Sequence, residues 1–442
     1  MRTRILLTAA TLTFLHFSLT AEGGTLTFSP AASGARVLNY EAPASAGLNA
    51  GVFVADGMAG VTARYTAASA SATVKWYKFS NLGGGYAQEL TGISVNGAES
   101  VLSTVEGDMG YIVEEGTDRT YFWIVDYSRH QLSLDALVMG ADSDCEFVSL
   151  ALTGTATPIN YYSINGRQMT LSRELEIDYS TMEWNEGQSQ YIRTAARETI
   201  DASDGTIRVQ APLCDTGFTL TGDRFLKAWG RGQSVSSPSY SASAVTAHTV
   251  AEQLDEPSDN LIGGAGGDAL GGSAPAHIEF RAEVTEAAIF TEWQFSKYND
   301  FEDIQLRVNE PVYTHTFDEL GTVYVRFVCD NAEGTCQFTG DVYQVNIGES
   351  SLLCPNAFSP GASEGVNDEW KVSYKSIVSF ECHIFNRWGH KMCSLTDPSQ
   401  GWDGKYHGKV VPAGVYYYTI KARGADGRKY NLSGDINIID YK

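Results

Sequence analysis

Residues 354–442 decide the reading of this chain: CPNAFSPGASEGVNDEWKV at 354–372, SFECHIFNRWGHKM at 379–392, GWDGKYHGKVVPAGVYYYTIKA at 401–422 and NLSGDINIIDYK at 431–442. The stretch reads as short strands cut by turns. Ile377, Phe380, His383 and Phe385 lie in an extended, apolar-rich segment that stops at Arg387-Trp388-Gly389, where glycine permits a tight reversal. Asp403-Gly404 marks another turn, and Pro412-Ala413-Gly414 launches Val415–Ile420, a run of β-branched and aromatic residues. Asp426-Gly427 is a hairpin signal, and Ser433-Gly434-Asp435 precedes a last strand through Ile439. Short strands at close spacing with Gly/Pro turns predict a small all-β sandwich.

The order PNAFSP, GVNDEW, IFNRWG, GWDGKY, PAGVYYY and SGDINI resembles the gliding-motility-associated C-terminal domain, the type B sorting domain of type IX secretion in Bacteroidetes. Six motifs occur in the family's order over 354–442. By that resemblance the domain is recognised by the type IX secretion machinery and carries folded cargo across the outer membrane. The motif residues it singles out are Pro355, Asn356, Phe358, Arg387, Trp388, Gly389, Trp402, Asp403, Gly404, Gly414 and Gly434; for most, the direct role is to fix turns and core. One departure concerns the turn 359–368. The early aspartate of the family's acidic SPNGDGVND turn is missing, so no metal is expected there.

Working outward, the chain has 442 residues, room for roughly two to four domains. Helix signals are scarce, and the 44 glycines and 23 tyrosines favour β structure. The formal net charge of −22 is uneven. Residues 354–442 hold 11 basic and 9 acidic side chains, leaving 20 basic against 44 acidic for the rest. An acidic body argues against nucleic acid and anionic membrane surfaces as partners. Arg2 and Arg4 followed by apolar Ile5–Leu19, too short to span a membrane, predict a signal peptide at 1–21.

Between the two ends the chain divides into a β-sandwich module at 24–155, a β module at 156–257, a glycine-rich linker at 258–273 containing GGAGGDALGG, and a third module at 274–350. In the first, Trp76 is a core candidate and Tyr121–Tyr127 an aromatic strand. This loosely resembles an immunoglobulin-like sandwich, without its Cys…Trp…Cys spacing. In the third, Trp293-x-Phe295, Thr316-Phe317 and Gly321-Thr322-x-Tyr324-Val325 resemble a PKD-like or immunoglobulin-like repeat. The fold expected is therefore all-β, with tandem immunoglobulin-like sandwiches ending in a small sorting sandwich.

Seven cysteines in an exported chain suggest disulfides. Cys329 with Cys336 would bridge a hairpin, and Cys382 with Cys393 would close the RWG turn. Cys354 with Cys382 or Cys336 is an equal rival, and Cys145 and Cys214 either link neighbouring domains or stay reduced. An odd count leaves at least one thiol free or intermolecular. No close Cys-x-x-Cys pair supports zinc.

Chemistry finds little support. Gly361-x-Ser363-x-Gly365 follows a proline in a turn, without the strand-to-helix pattern of a nucleophile elbow. The histidines form no His-x-x-x-His pair. Glu174, Glu176 and Asp178 alternate on one strand face, which reads as a solvated face before a calcium or glycan site. Paired carboxylates for glycoside cleavage are not singled out among 53 acids. No cofactor is expected. The chain reads as an exported cell-surface or secreted protein, an adhesin or structural protein with an unidentified glycan or protein ligand. The alternatives are a carbohydrate-binding protein or a hydrolase hidden in 24–260.

Overall fold

A computed structural model describes residues 24–200, 205–255, 258–260, 270–362 and 367–439. The expected signal peptide at 1–21 lies outside them, as do Ser363 and most of the glycine-rich segment. The protein is almost wholly strand; among the described residues the single α-helix is Arg224–Ala228.

The first sandwich packs a four-stranded sheet (Thr25–Phe28, Ala63–Thr66, Glu99–Leu102, Ser94–Asn96) on a six-stranded one that includes Gly51–Ala55, Val74–Phe79, Met109–Glu115 and Asp118–Asp126. Side chains alternate across a strand. Phe122 and Ile124 therefore point into this sandwich with Phe53, Trp76 and Tyr65. Trp76 is fully buried, and its indole N–H donates to Ser100 Oγ at 3.1 Å. Trp123 and Val125, one residue out of phase, face a second core shared with Leu137, Leu150, Ile177 and Phe218. Burial on both faces explains why Tyr121–Val125 is an unbroken apolar run.

The second core belongs to a sheet of Ser133–Met139, Phe147–Thr155 and Thr206–Gln210, facing Gln190–Ile200, Leu175–Asn185, Thr219–Gly222 and Gln233–Ser236. This corrects the boundary expected at 155. Phe147–Thr155 pairs with Thr206–Gln210, so residues 133–155 belong to the second unit. The boundary at 257 also moves, because Ala247–Gln253 pairs along its whole length with Ala276–Val284 of the third unit.

In the third unit Phe280, Trp293, Phe295, Phe327 and Val345 fill the core. The linker expected at 258–273 is anchored at both described ends. Leu270–Gly272 pairs in parallel with Tyr343–Ile347. Gly271 sits at φ +97°, and a Cβ there would lie 2.6 Å from Asn346 O, so only glycine fits. At the other end the Asn260 amide donates to Val372 O and accepts from Tyr374 N–H, both at 2.8 Å.

Each junction is specifically bonded. Between the first and second units, Asp223 has no exposed side-chain surface and pairs with Arg173, 3% exposed, at 2.6 Å. Asp223 also accepts from Tyr127 O–H at 2.9 Å and from Leu226 N–H at 2.9 Å, capping the helix. Arg173 donates onward to the carbonyls of Thr157 and His130. Burial, then the Asp223 charge, pushes the Tyr127 hydroxyl well above its ordinary pKa. Between the second and third, Trp184 stacks on His248 at 3.8 Å and Arg193 pairs with Glu286 at 3.1 Å. Between the third and fourth, Ser376 N–H donates to Ser273 Oγ at 2.9 Å and its hydroxyl to Gly348 O at 2.9 Å.

A disulfide joins Cys145 to Cys336, tying the second unit to the third. This corrects both expected pairings. Cys329 points into the third core, its thiol pushed up to about 12 by burial. Cys382 lies opposite Leu395 and Cys393 opposite Ile384, so the two are out of register. Cys214, Cys329, Cys354, Cys382 and Cys393 are thiols. Denatured protein is accordingly expected to titrate five thiols with a chromogenic disulfide reagent, seven after reduction, and to yield a Cys145–Cys336 cross-linked peptide on digestion; three thiols with Cys329–Cys336 and Cys382–Cys393 peptides would restore the local pairings.

Removing one partner of a buried pair strands a charge. Arg173→Met is expected to cost about 3–5 kcal/mol in urea unfolding. Arg64→Met, at an exposed pair with Glu99, is expected to cost about 0–1 kcal/mol. Equal losses would show that the Asp223 network does not hold the junction.

The candidate functional site is the terminal domain

The fourth unit is a five-stranded sheet in the order Ala357–Phe358, Lys429–Ile438, Gly414–Gly424, Ile377–Phe385, Lys391–Leu395, with Ser351–Leu353 and Ser373–Lys375 forming a small pair beside it. Its centre is a pair of tryptophans. Trp370 and Trp402 exchange backbone hydrogen bonds at 2.9 and 3.0 Å, and both are buried. The Trp370 indole N–H donates to Pro355 O at 2.7 Å, and that of Trp402 to Lys405 O at 3.0 Å. Around them pack Phe358, 5.6 Å from the Trp402 ring, Tyr416, 5.2 Å from it, and Tyr418, 5.2 Å from Trp370.

Most of the residues expected to matter are builders of this core. The Asn356 carbonyl accepts from Asn437 N–H at 2.9 Å, which aligns Ala357–Phe358 beside the last strand. Asp403 accepts from Lys405 N–H at 3.0 Å and from its ammonium at 2.7 Å. Lys405 holds its carboxyl below the ordinary range. Gly389, Gly404 and Gly414 carry φ of +81°, +71° and +146° at their turns. Gly434 lies opposite Tyr418, and a Cβ there would come within 2.7 Å of the tyrosine hydroxyl. Trp370 and Tyr418 were not among the expected residues. The signal for Trp370 was its place in GVNDEW, and that for Tyr418 was the tyrosine run.

Arg387 and Trp388 are different. They form the tip of the hairpin between Ile377–Phe385 and Lys391–Leu395. Asn386 closes that turn by accepting from the N–H groups of Trp388 and His390, both at 3.0 Å. Trp388 is 70% exposed, and the Arg387 guanidinium lies 4.3 Å from its ring centroid. A cation resting on an indole in water lies outside the core.

Residues 352–438 match the family of the CHU_C type IX secretion signal domain. The terminal unit is that signal domain. Residues 137–237 match the fibronectin type III domain, which coincides with the second sandwich. Three solved structures match parts of the chain at low identity and low TM-score. A tetra-tandem repeat from the extending region of a large adhesion protein is 11% identical, covers 94% of this chain and 99% of its own, and has a TM-score of 0.22. Fibronectin(III)-like modules of Clostridium thermocellum CbhA are 13% identical over 43% of this chain and 95% of theirs, at 0.18. A Ca2+-stabilised adhesin of an Antarctic bacterium that binds ice is 12% identical over 95% and 99%, at 0.16. No curated protein matches the chain.

The signal domain also places three polar groups in line on its outer face: His383 bonds Ser394 Oγ at 3.0 Å and Glu381 at 3.1 Å. The row lies along neighbouring strands and borders neither the groove lined by Asp215 and Glu286 nor the groove lined by Asp56 and Trp229. Elsewhere, the alternating acids are ion-paired: Glu174 with Arg224, Glu176 with Lys227, Asp178 with Arg197. Among the described residues no three His, Cys, Asp or Glu side chains are grouped to hold a metal ion.

The division between core and tip is testable. In the signal domain Trp402→Ala is expected to cost about 3–5 kcal/mol, and Trp388→Ala to stay within about 0.5 kcal/mol. The midpoint of urea unfolding measures both. A large loss for Trp388→Ala would make the tip a structural element.

Proposed function

We propose that this chain is an exported, non-catalytic surface protein whose terminal domain is its transport address and whose preceding units serve adhesion or structure. A type IX secretion signal domain implies recognition by the type IX machinery and export to the cell surface or the extracellular space. The observation that carries the finer reading is the exposed Arg387–Trp388 tip. The domain's other motif residues are consumed in turns and core, whereas this pair is fixed in shape and free to be read by a partner.

Support for the non-catalytic part comes from how the reactive side chains of the first three units are used. Glu174, just before its strand, and Glu176 and Asp178 on it are ion-paired, His248 is stacked on Trp184, and His315 is packed among Phe295 and Phe317, where burial lowers its pKa. The acidic body also keeps nucleic acid from the set of partners.

The test is localisation in the native host with a tag placed just after the signal peptide. Full chain, a chain ending at Ser350, and an Arg387→Ala/Trp388→Ala chain are compared. The full chain is expected at the surface or in the medium, and the truncated chain in the periplasm. The double variant, with its fold intact, is expected to be retained about tenfold more than the full chain, the effect of losing roughly 1.4 kcal/mol of recognition. If the truncated chain reaches the same place as the full one, the terminal domain is an ordinary structural module and the transport reading is withdrawn.

A further inference from the structure

The strands of the signal domain run between two unlike ends. At one end the turn 424–428 belongs to the junction. The Ala425 carbonyl accepts from Leu320 N–H of the third unit at 3.1 Å, and Asp426 accepts from Ser350 O–H at 2.7 Å. The strand Gly414–Gly424 connects this junction to the other end, on the order of 35 Å away at about 3.4 Å per residue. Strand register gathers that far end from separate segments. Phe385 lies opposite Tyr417, so the Arg387–Trp388 tip emerges beside the start of the Gly414–Gly424 strand. There burial raises the pKa of the Tyr416 hydroxyl and the nearby Arg387 charge partly offsets it. Ile438 lies opposite Gly414, which brings Ile439 to the same level. The hairpin Lys405–Val410 is held there too, because Trp402 donates to Lys405 O at 3.0 Å and packs on Tyr416 at 5.2 Å.

The far end is apolar and cationic at once. Trp388, Tyr406, Val410, Val415, Tyr417 and Ile439 are all exposed. Scattered singly such groups are ordinary, but gathered at one end they mark an interaction surface. Arg387, Lys391 and Lys409 are exposed around them and form no ion pair among the described residues. The neighbouring acids are engaged: Asp403 by Lys405, Glu369 by Lys371, Asp435 by the Asn437 amide and Asp368 by Gly361 N–H. A strongly acidic chain thus ends in unpaired cations set among exposed rings and aliphatic groups. A lipid headgroup layer receives that combination, with aromatic rings at the interface and long basic side chains on the phosphates. Protein contacts share the aromatic and arginine component but are depleted in lysine, and here Lys391 and Lys409 supply two of the three unpaired charges.

We propose that this end of the signal domain docks on an anionic lipid surface, with Trp388 and Tyr417 among the headgroups and Arg387, Lys391 and Lys409 on their phosphates. Residues before 354 hold 20 basic against 44 acidic side chains and are repelled by the same surface. The chain therefore meets the lipid by its last domain, with the acidic units turned away. The inference goes beyond export, and its test needs none of the secretion machinery.

The test is sedimentation of the chain, freed of the expected signal peptide at 1–21, with vesicles of phosphatidylcholine alone and of phosphatidylcholine mixed with phosphatidylglycerol. The mixed vesicles are expected to bind it, and the neutral ones to bind it about a hundredfold more weakly, the combined effect of three cations near the surface. The double variant Lys391→Gln/Lys409→Gln is expected to lower affinity for the mixed vesicles about thirtyfold at an unchanged urea midpoint. Trp388→Ala is expected to lower it about tenfold. Lys421→Gln, on the same sheet toward the junction, is expected to leave it unchanged. Equal binding to neutral vesicles, an unaffected double lysine variant, or an equal loss for Lys421→Gln would overturn the assignment. Absence of binding to the mixed vesicles would also overturn it and make this end a protein contact. The double lysine variant keeps Arg387 and Trp388, so its export in the native host tells failure of the lipid inference from failure of the transport reading.

Discussion

A carboxylate removed from water must be met on every side, and Asp223 meets that requirement with groups from two distant parts of the chain and from its own helix. Arg173 neutralises it, Tyr127 donates from the first sandwich, and the Leu226 N–H donates from the helix it caps. Whatever its net contribution to stability, the pair fixes placement. With Asp223 in position the helix starts where it must, Phe225 reaches the shared core, and Trp229 and Arg231 emerge at the groove they line with Asp56. The shared core and the buried ion network make the first two units one body, although each has its own pair of sheets.

The terminal domain solves a different problem, that of making a small sandwich present a surface. Its two tryptophans do this by filling the centre with rigid, hydrogen-bonded rings. With the interior so determined, the hairpin ending in Arg387 and Trp388 can be short and polar at its base and still hold one shape. Most of the motif string is thus spent on folding, and on the proposed reading only the Arg387–Trp388 tip is left for recognition.

How much of this could be read beforehand follows from locality. Turns are local events, so Asp403-Gly404, Pro412-Ala413-Gly414 and the RWG reversal marked the terminal strands correctly. Strand partners are not local. Nothing near Phe147 announces that its strand pairs with Thr206–Gln210, and nothing near Ala247 announces Ala276–Val284. The cysteines misled for the same reason. Cys329 and Cys336 are close in sequence, but the first faces a core while the second reaches Cys145, 191 residues earlier. The glycine-rich stretch suggested slack, yet Gly271 is glycine because a neighbouring carbonyl leaves room for nothing else. The groove between the first two units was illegible altogether, since Ser33, Arg36, Asp56 and Trp229 meet only when two units dock.

The Cys145–Cys336 bond has a mechanical meaning. A pull applied between the first unit and the terminal domain enters the second unit, crosses the sulfur bridge and leaves through the third, bypassing the segment between the two half-cystines. That segment is 191 residues by sequence separation, on the order of 650 Å of chain if drawn straight. While the bond is intact this length cannot be paid out, even if the strands between the half-cystines come apart. Once that covalent link is reduced, only the strand pairing and packing of the two units keep this length folded.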